Sequence, residues 1–466
     1  MKTLTIYWSL FAIYSIGNAV PVSLTKRATA EDWKDRTIYQ LLTDRFATTD
    51  NSNASCQDLT KYCGGTFQGI TNQLDYIQGM GFDAIWISPI PENVDNGYHG
   101  YHAKDFEKIN SHFGTSDELT ALVNEAHKRN MYVMLDVVAN HQGAPSSKGD
   151  YSGFTFNSPD LYHKECTIDY NNQNSIEVCW LSGLPDIDTE NTANVQKLNS
   201  IVNGWVSTYN FDGIRIDTLK HVRKDFWPGY IKSSNVFATG EVFDGNPQYV
   251  AGYLESTNSL INYPLYYGII NVFTKKNDIS TLYSTWQTLQ TATGNKTSYF
   301  TNFCDNHDVR RIATLTNGDY SLVKNAVTFT LMIEGIPTYY YGTEQGLLGS
   351  DDPDNRKPLW ANGGFDTTSD MYQFTKTLVK NGRQANNGSV LMNAGTCSNS
   401  CYGFIRGKAL VIVNNLGSGS QETITFKSSQ LEEGKTMKDI FSGIQVTVTN
   451  GSINFQLSNG LPVIFV

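Results

Sequence analysis

The sequence predicts an α/β protein: a (β/α)8 TIM barrel with a small domain inserted after the third strand and an antiparallel β domain at the C-terminus. Three features indicate this fold. Short apolar runs alternate with helical patterns from residue 36 onward, an irregular segment interrupts them at 142–188, and alternating strands with Gly and Asn turns follow residue 385. With 466 residues and 40% hydrophobic content, the chain can form one large core and a smaller one.

Eight apolar runs are the candidate barrel strands. In chain order they are TIYQLLTDRF, FDAIWISPI, MYVMLDVVANH, FDGIRIDTLKH, VFATGEVF, LINYPLY, YFTNFCDNHD and IPTYYYGTEQ. Helical patterns such as SDELTALVNEAHKRN and TANVQKLNSIVNGWVSTYN lie between several of these runs. This alternation is typical of a parallel sheet, and eight such units indicate a closed barrel.

The irregular segment is too long for an ordinary strand-to-helix connection, and it is rich in Asn, Ser, Gly and Tyr. We therefore expect it to form a separate small domain. The predicted division is a signal peptide at 1–19, a linker or propeptide at 20–30, the barrel at 31–141 and 191–384, the inserted domain at 142–190 and the β domain at 385–466.

The N-terminus has the layout of a cleaved secretory signal. It contains an early lysine, an apolar stretch and small residues at Gly17 and Ala19. The alternative, an uncleaved membrane anchor, would require a longer stretch with different flanks. The dibasic pair Lys26-Arg27 is either a second processing site or an ordinary exposed charge pair. We expect a secreted monomer without a membrane anchor, with association with the cell wall as one option.

Cysteines and glycosylation sequons agree with the secretory route. Seven cysteines suggest three local disulfides and a buried thiol at Cys304, although sequence alone leaves the connectivity open. The expected pairs are Cys56 with Cys63, Cys166 with Cys179, and Cys397 with Cys401. Asn-x-Ser/Thr sequons occur at Asn53, Asn295, Asn387 and Asn450.

Charge and composition restrict the partners. The formal net charge is −10 and the pI is about 5.3, so the overall field does not attract nucleic acid or an anionic membrane. Aromatic residues make up 12% of the chain, with 26 tyrosines. Such amphipathic rings suit the faces of sugars as well as they suit protein cores.

Charged and polar residues follow several of the candidate strands, where a barrel of this type has its active site. These residues are Asp136, Asn140, His141, Arg215, Asp217, Glu241, His307 and Asp308. Grouping several carboxylates is costly in a purely structural core, so the pattern indicates chemistry. Glycosidic bond cleavage requires one carboxylate nucleophile and one protonated carboxylic acid.

Arg215 and Asp217 are two residues apart and therefore face the same side of their strand. Arg215 is positioned to keep the carboxyl group of Asp217 ionised. A buried ion pair without catalytic function explains this dipeptide pattern equally well. Only the acids on the later strands favour an active site.

Five sequence blocks resemble, in order and spacing, the conserved blocks of the α-amylase family of glycoside hydrolases. They are DVVANH, LPDID, GIRIDTLKH, GEVF and FCDNHD. The segments YCGGTFQGI, KHVRKDFWPGY and NYPLYY are similar to those of secreted fungal and yeast α-amylases. The resemblance extends from about residue 30 to the C-terminus and weakens after residue 385.

The resemblance implies a role for each matching residue. Asp217 is the implied nucleophile, Glu241 the general acid/base and Asp308 the third acid, which stabilises the transition state. The implied substrate contacts are Gln40, His99, the aromatic platform Tyr101, His141, Arg215, Lys220, His221, His307, Asp352 and Arg356. In this scheme Asp352 and Arg356 bind the donor side, whereas Lys220 and His221 meet the leaving-group side.

Calcium is the metal that the resemblance implies. The matching ligands are Asn140, Glu177, Asp186 and the backbone carbonyl of His221, which would join the inserted domain to the barrel. Hard oxygen donors of this kind suit Ca²⁺. Taken singly, each acid would more often be an ordinary solvated loop charge than a metal ligand.

Two departures from the family pattern bear on function. Val309-Arg310-Arg311 replaces Asn-Pro-Arg after the third acid, and His102 replaces a Trp that commonly follows the platform tyrosine. Three hypotheses follow for an α-glucan substrate. The first is endo-acting, retaining hydrolysis of α-1,4-glucans such as starch or glycogen. The second is a 4-α-glucanotransferase that remodels cell-wall glucan, and the third is a non-catalytic glucan-binding relative.

Overall fold

A computed structural model describes residues 28–275, 277–386 and 391–466. Eight parallel strands form one sheet in the order β6-β5-β4-β3-β2-β1-β8-β7. A parallel bridge between Ile261 and Thr301 joins the two ends of the sheet, so the barrel closes. The predicted fold class is confirmed. The strands are β1 Ile38–Leu41, β2 Ala84–Ile87, β3 Tyr132–Val137, β4 Gly213–Ile216, β5 Phe237–Gly240, β6 Ser259–Leu260, β7 Thr301–Asn302 and β8 Ile336–Tyr340.

Each of the eight predicted runs contains one strand, but two runs end differently from the prediction. LINYPLY is strand only as far as Leu260, because the side chain of Asn262 caps a helix that begins at Tyr263 and includes Pro264 in its first turn. TIYQLLTDRF likewise ends in the short helix Thr43–Phe46.

The strands are buried along almost their whole length, as expected for parallel strands with helices outside and side chains filling the barrel. Strand register places Asp136 opposite Arg215, and Arg215 opposite Thr239. Beyond the strands, the amide of Asp217 donates to the carbonyl of Val137 at 2.9 Å. Three neighbouring strands therefore deliver their terminal residues to one level of the barrel mouth.

Helices surround the barrel. The predicted helix at 116–130 spans Ser116–Lys128 and begins with a capping box between Thr115 and Glu118. The predicted helix at 192–210 spans Thr192–Tyr209 and ends at Asn210 in the left-handed conformation. The other α-helices are Ala30–Lys34, Phe67–Asn72, Leu74–Met80, Gln173–Val178, Trp227–Ser234, Pro247–Ala251, Tyr263–Phe273, Thr281–Thr293, Ile312–Leu315, Tyr320–Met332, Asp370–Thr377 and Gln384–Asn386.

The segment after β3 contains little regular structure apart from the helix Gln173–Val178. An antiparallel bridge between His141 and Asp186 attaches it close to the end of the strand, and a second bridge, between Tyr162 and Ile187, lies within the segment. A hairpin of Pro91–Asn93 and Ala103–Ile109 also extends the barrel at this side: the amide of Gly143 donates to the carbonyl of Ala103 at 2.8 Å.

The C-terminal region is antiparallel, as predicted. One sheet contains, in order, Met392–Ser398, Cys401–Arg406, Ala409–Asn414 and Val463–Phe465. Gln421–Lys427 pairs with Ser452–Ser458, and Thr436–Lys438 pairs with Gln445–Thr447. The region packs on the barrel helix Tyr320–Met332, where the amide of Asn414 donates to Oδ1 of Asn325 at 2.8 Å.

The three expected disulfides are present: Cys56–Cys63, Cys166–Cys179 and Cys397–Cys401. Cys304 is buried and free. The sequon residues Asn53, Asn295 and Asn450 are exposed. Asn387, the signal peptide and Lys26-Arg27 lie outside the described residues. Among the residues that the structure describes, no helix combines the length and apolar character needed to cross a bilayer.

Candidate active site

The guanidinium of Arg215 lies at the centre of a group of four carboxylates. Its Nη1 atom donates to Oδ1 of Asp217 at 2.6 Å and to Oδ1 of Asp136 at 3.0 Å. Its Nη2 atom lies 3.1 Å from Oε1 of Glu241 and 3.9 Å from Oδ2 of Asp308. Arg215 is fully buried, so these acids are its counter-charges in place of water. The structure brings together the three acids that the sequence analysis selected.

Burial and mutual repulsion shape the protonation of this group. Burial raises the pKa of Asp217 well above its usual range, Arg215 opposes that rise, and the charges of the neighbouring acids add to it. Burial also raises the pKa of Asp308, and it raises that of Asp136 to about 6 against the pull of Arg215. Burial and the mutual repulsion of the acids therefore oppose the simultaneous ionisation of the whole group, and Arg215 opposes them.

Glu241 receives hydrogen bonds at both carboxylate oxygens. The amide of Thr218 donates to Oε2 at 2.9 Å, and the hydroxyl of Tyr263 donates to Oε1 at 3.0 Å. Thr218 adopts a left-handed conformation with φ of 47°, which is unusual for a β-branched residue. This turn directs its N–H into the barrel mouth.

Tyr101 and His307 form the floor of the mouth. Their rings are stacked, with centroids 5.3 Å apart and planes inclined by 3°. The amide Nε2 of Gln40 donates to Nδ1 of His307 at 2.6 Å, which leaves Nε2 of His307 as the donor toward the Tyr101 hydroxyl at 2.7 Å and Oδ2 of Asp308 at 3.0 Å. The Tyr101 hydroxyl in turn donates to Asp136 at 2.7 Å.

Three of the expected sugar contacts also form hydrogen bonds within the protein. Gln40 is buried behind His307 and orients that ring. His99 accepts the amide N–H of Tyr101 at 3.0 Å. Nε2 of His141 bonds the carbonyl of Tyr101 at 2.9 Å, but Nδ1 of His141 is buried and has no hydrogen-bond partner among the described residues. Nδ1 of His141 is therefore left for a ligand.

On one side of the mouth, Arg356 holds the third acid. Its Nη2 atom donates to Oδ1 of Asp308 at 3.2 Å, and its Nη1 atom lies 3.2 Å from Oδ1 of Asp352. The hydroxyl of Tyr98 also donates to Asp352, at 3.1 Å. The structure thus links the two predicted donor-side residues to the group of acids around Arg215.

On another side of the mouth, Lys220 contacts two residues with exposed aromatic side chains. Its Nζ atom donates to the carbonyl of Phe243 at 2.8 Å and lies 5.6 Å from the ring centroid of Tyr170. Phe243 is 39% exposed and Tyr170 is 60% exposed. His221 is buried against the helix Gln173–Val178, where its Nδ1 atom bonds the carbonyl of Ile176 at 3.1 Å.

Comparison with known proteins identifies the family. Residues 40–390 match the family model described as "Alpha amylase, catalytic domain". The α-amylase of Saccharomycopsis fibuligera is 38% identical, over 98% of this chain and 96% of its own length. This chain belongs to the α-amylase family.

Solved structures of family members have the same architecture. The α-amylase of Malbranchea cinnamomea is 36% identical with a TM-score of 0.89, and the match covers 94% of this chain and 97% of that one. CldA, described as a cyclomaltodextrin glucanotransferase with a three-domain ABC distribution, is 27% identical with a TM-score of 0.81, over 92% of this chain and 98% of its own.

The family's calcium ligands predicted from the sequence lie on adjoining segments. Asn140 and Asp186 are buried, and the amide of Ile187 donates to the carbonyl of Asn140 at 2.7 Å. Oδ1 of Asp186 is buried without a hydrogen-bond partner among the described residues. Glu177 is half-buried on the helix that contacts His221. A buried carboxylate oxygen without a partner fits a cation site.

Next to this set, His163 forms a cluster with Asp188 and Glu190 that the sequence analysis did not select. Nδ1 of His163 bonds Oδ2 of Asp186 at 2.7 Å, and Nε2 bonds Oε2 of Glu190 at 2.5 Å. Burial lowers the pKa of His163, but these two bonds outweigh it and raise the pKa to about 9. These contacts make the cluster an ion-pair network in this structure.

The two departures from the family pattern have local explanations. Arg310 points to solvent and pairs with Asp351, whereas Arg311 is buried. The side chain of Asn355 donates to the carbonyls of His307 and Val309, at 2.9 and 2.8 Å. Asn355 therefore fixes the turn that lacks the family's proline. His102 is half-buried, and its ring makes an edge-to-face contact with His99.

Three further residues of the site were not predicted: Trp86, Tyr98 and Tyr263. Nε1 of Trp86 donates to Oδ2 of Asp136 at 3.0 Å. Trp86 belongs to an apolar strand and Tyr263 to a segment that was expected to be strand. Their function as hydrogen-bond donors could not be predicted, because an aromatic residue in an apolar run usually only packs in the core.

Proposed function

We propose that this member of the α-amylase family is an endo-acting, retaining hydrolase of α-1,4-glucosidic bonds in glucans of the starch and glycogen type. The observation that carries the proposal is the single guanidinium of Arg215, which contacts both Asp217 and Glu241. This arrangement holds two carboxyl groups beside each other, as covalent glycoside hydrolysis requires.

In the proposed reaction, a carboxylate oxygen of Asp217 attacks the anomeric carbon and forms the glycosyl ester. The glycosidic C–O bond breaks, and the departing oxygen takes the proton of Glu241. Glu241 then removes a proton from water, which attacks the same carbon and releases Asp217. Asp308, held by Arg356, stabilises the positive charge that develops on the sugar ring.

The floor and rim of the mouth are proposed to bind the sugars. The stacked pair of Tyr101 and His307 is the platform, and Nδ1 of His141 is available for a hydroxyl group. Asp352 and Arg356 are assigned to the donor side. Lys220 and His221 are assigned to the leaving-group side.

We also propose that Ca²⁺ is bound by Asn140, Glu177, Asp186 and the carbonyl of His221. The unpartnered Oδ1 of Asp186 and the all-oxygen donor set support this assignment. When bound, the ion supplies a crosslink between the inserted segment and the barrel. The hydroxyl of Thr218 donates to Oδ1 of Asn140 while its amide donates to Glu241, so the site adjoins the proposed acid/base.

A second candidate function is 4-α-glucanotransfer, in which a sugar hydroxyl replaces water in the second step. The exposed side chains of Tyr170 and of Phe243, whose carbonyl bonds Lys220, favour it, because aromatic faces bind sugar acceptors. The structural relative CldA is described as a glucanotransferase. A non-catalytic glucan-binding function is the least supported, since all three acids are present and contact Arg215.

Secretion is proposed on the same basis as in the sequence analysis. Three disulfides and three exposed sequon residues fit an oxidising, glycosylating route. The monomeric state, the domain boundaries and association with the cell wall stay predictions.

The deciding experiment incubates the purified protein with maltoheptaose and follows the products with time. Exclusively shorter sugars would establish hydrolysis, and longer sugars would establish transfer. The variants Asp217→Asn and Glu241→Gln should each abolish turnover while retaining the wild-type melting temperature. An unchanged substrate, or near-normal turnover in either variant, would contradict the proposal.

A further inference from the structure

The hydroxyl group of Tyr263 makes a directed hydrogen bond to the proposed acid/base. It donates to Oε1 of Glu241 at 3.0 Å and accepts from Nδ2 of Asn306 at 3.3 Å. A phenol has one proton, and Asn306 occupies the acceptor side of the oxygen. The Tyr263 proton therefore points to the carboxylate of Glu241.

The surroundings of Tyr263 fix the ring in this position. Tyr263 is fully buried at the first turn of its helix. One face of its ring stacks on Phe243, with centroids 4.3 Å apart, and Phe303 packs edge-on at 5.0 Å. Nδ2 of the capping residue Asn262 donates to Oδ1 of Asn302 at 2.8 Å. Rotation of the Tyr263 ring out of the site would disrupt its contacts with Phe243 and Phe303.

The other neighbours of Glu241 differ from Tyr263 in kind. Oε2 is bonded by a backbone amide, which no side-chain substitution removes, and Arg215 is shared with three other acids. Tyr263 contributes a neutral donor from a side chain. Burial raises the pKa of Tyr263 well above 10, so it remains a donor over the working pH range. The charged or titratable groups near Glu241 are Arg215, Asp217, Asp308, Lys220, His221 and His307.

We propose that Tyr263 is a positioning residue for the general acid/base. It orients the carboxyl group of Glu241 toward the glycosidic oxygen and stabilises the carboxylate that remains after the proton has left. As the glycosidic C–O bond breaks, the Glu241 proton moves to the departing oxygen, and the bond from Tyr263 strengthens because its acceptor becomes charged. The proton of Tyr263 itself is not transferred. This inference rests on the proposed role of Glu241.

The test compares two leaving groups in the variant Tyr263→Phe. Maltoheptaose requires a proton on its leaving oxygen, whereas α-maltotriosyl fluoride releases fluoride without needing one. Loss of one hydrogen bond to a charged group should lower kcat/KM for maltoheptaose by about 10- to 100-fold, and that for the fluoride by less than about 3-fold. The alkaline limb of the maltoheptaose pH profile should move to higher pH by about one unit, because the ionised carboxylate has lost a donor.

Tyr266→Phe is the matched control. Tyr266 lies on the same helix, is buried and stacks on Phe303, but its hydroxyl has no hydrogen bond described in this structure. We expect both kcat/KM values and the pH profile to be unchanged. The ratio of the two kcat/KM values is independent of the folded fraction, so it remains decisive if Tyr263→Phe is less stable.

Equal losses on both substrates with an unmoved pH profile would show a purely structural role and overturn the proposal. So would wild-type rates in Tyr263→Phe. The variant Glu241→Gln, measured in parallel, separates this failure from failure of the proposed function. If Glu241→Gln cleaves maltoheptaose normally, the assignment of the acid/base is wrong and the inference fails with it. If only the Tyr263 result fails, that assignment stands.

Discussion

Nη1 of Arg215 lies 2.6 Å from Oδ1 of Asp217, and Nη2 of the same guanidinium lies 3.1 Å from Oε1 of Glu241. One planar cation thus sets the spacing of the proposed nucleophile and the proposed acid/base. A guanidinium offers two nitrogens in a rigid fork, whereas an ammonium group is a single point charge.

Arg215→Lys should therefore lower kcat/KM for maltoheptaose by at least about 100-fold, because a lysine cannot contact the acids on both sides and leaves buried charge unpaired. Steady-state kinetics on the folded variant measure this effect. Arg310→Lys is the matched control, since Arg310 is exposed and pairs with Asp351 at the surface; it should change the rate by less than about 2-fold. Normal turnover in Arg215→Lys would refute the central role of the guanidinium.

Asp44 predicts a pH dependence of stability away from the reaction. It is buried, pairs with Arg45 and accepts the amides of Cys63 and Gly64. Burial raises its pKa to about 6, against the opposing effects of Arg45 and these amides. The folded state thus binds this proton more tightly than the unfolded state. The contribution is fully present below about pH 3.9 and is lost as the pH rises through about 6.

The melting temperature of Asp44→Asn relative to wild type should accordingly be higher at pH 7 than at pH 4, with most of the change between pH 4 and 6. Thermal unfolding at several pH values measures this difference. Asp75→Asn removes a carboxylate that is 82% exposed and serves as control. A difference for Asp44→Asn that does not vary with pH would contradict the prediction.

The sequence was sufficient to predict the barrel strands and the charged residues at their ends, because a charge that follows an apolar run is easy to recognise. It was not sufficient to predict the contact between Tyr263 and Glu241, because the segment around Tyr263 has the pattern of a strand. Its bond to Glu241 depends on how strands β5 to β7 close the barrel, and no local pattern specifies that geometry. The exposure of individual side chains could not be inferred from the sequence either. Phe243 follows an apolar run and resembles a core residue, but it is 39% exposed.

Calcium removal tests the proposed ligand set. Chelation should lower the melting temperature of the wild type, because a ligand bound only to the folded state adds about 4 kcal/mol at 1,000 times its Kd. Asp186→Asn should be less stable in calcium and nearly insensitive to the chelator. Asp188→Asn is the control; the Asp188 carboxylate caps the amides of Glu190 and Asn191, and an asparagine can preserve those bonds. A wild-type melting temperature unaffected by chelation would argue against the site.

Phe243 tests the balance between hydrolysis and transfer. Its ring is exposed, its carbonyl accepts a hydrogen bond from Lys220, and it follows Glu241 by two residues, so we expect an acceptor sugar on the leaving-group side to stack on it. Removing that face should disfavour a sugar acceptor more than water, since water does not use the ring. Phe243→Ala should therefore reduce products longer than maltoheptaose by about 10-fold, the value of one lost stacking contact, relative to the shorter products.

Ile444→Ala, which trims a residue that is 43% exposed in the C-terminal region, should leave the ratio unchanged. Chromatography of the products at high maltoheptaose concentration gives the ratio directly. If Phe243→Ala keeps the wild-type share of longer products, the ring does not bind the acceptor. If the wild type forms none, this chain uses water alone and the exposed rings contact only the departing glucan.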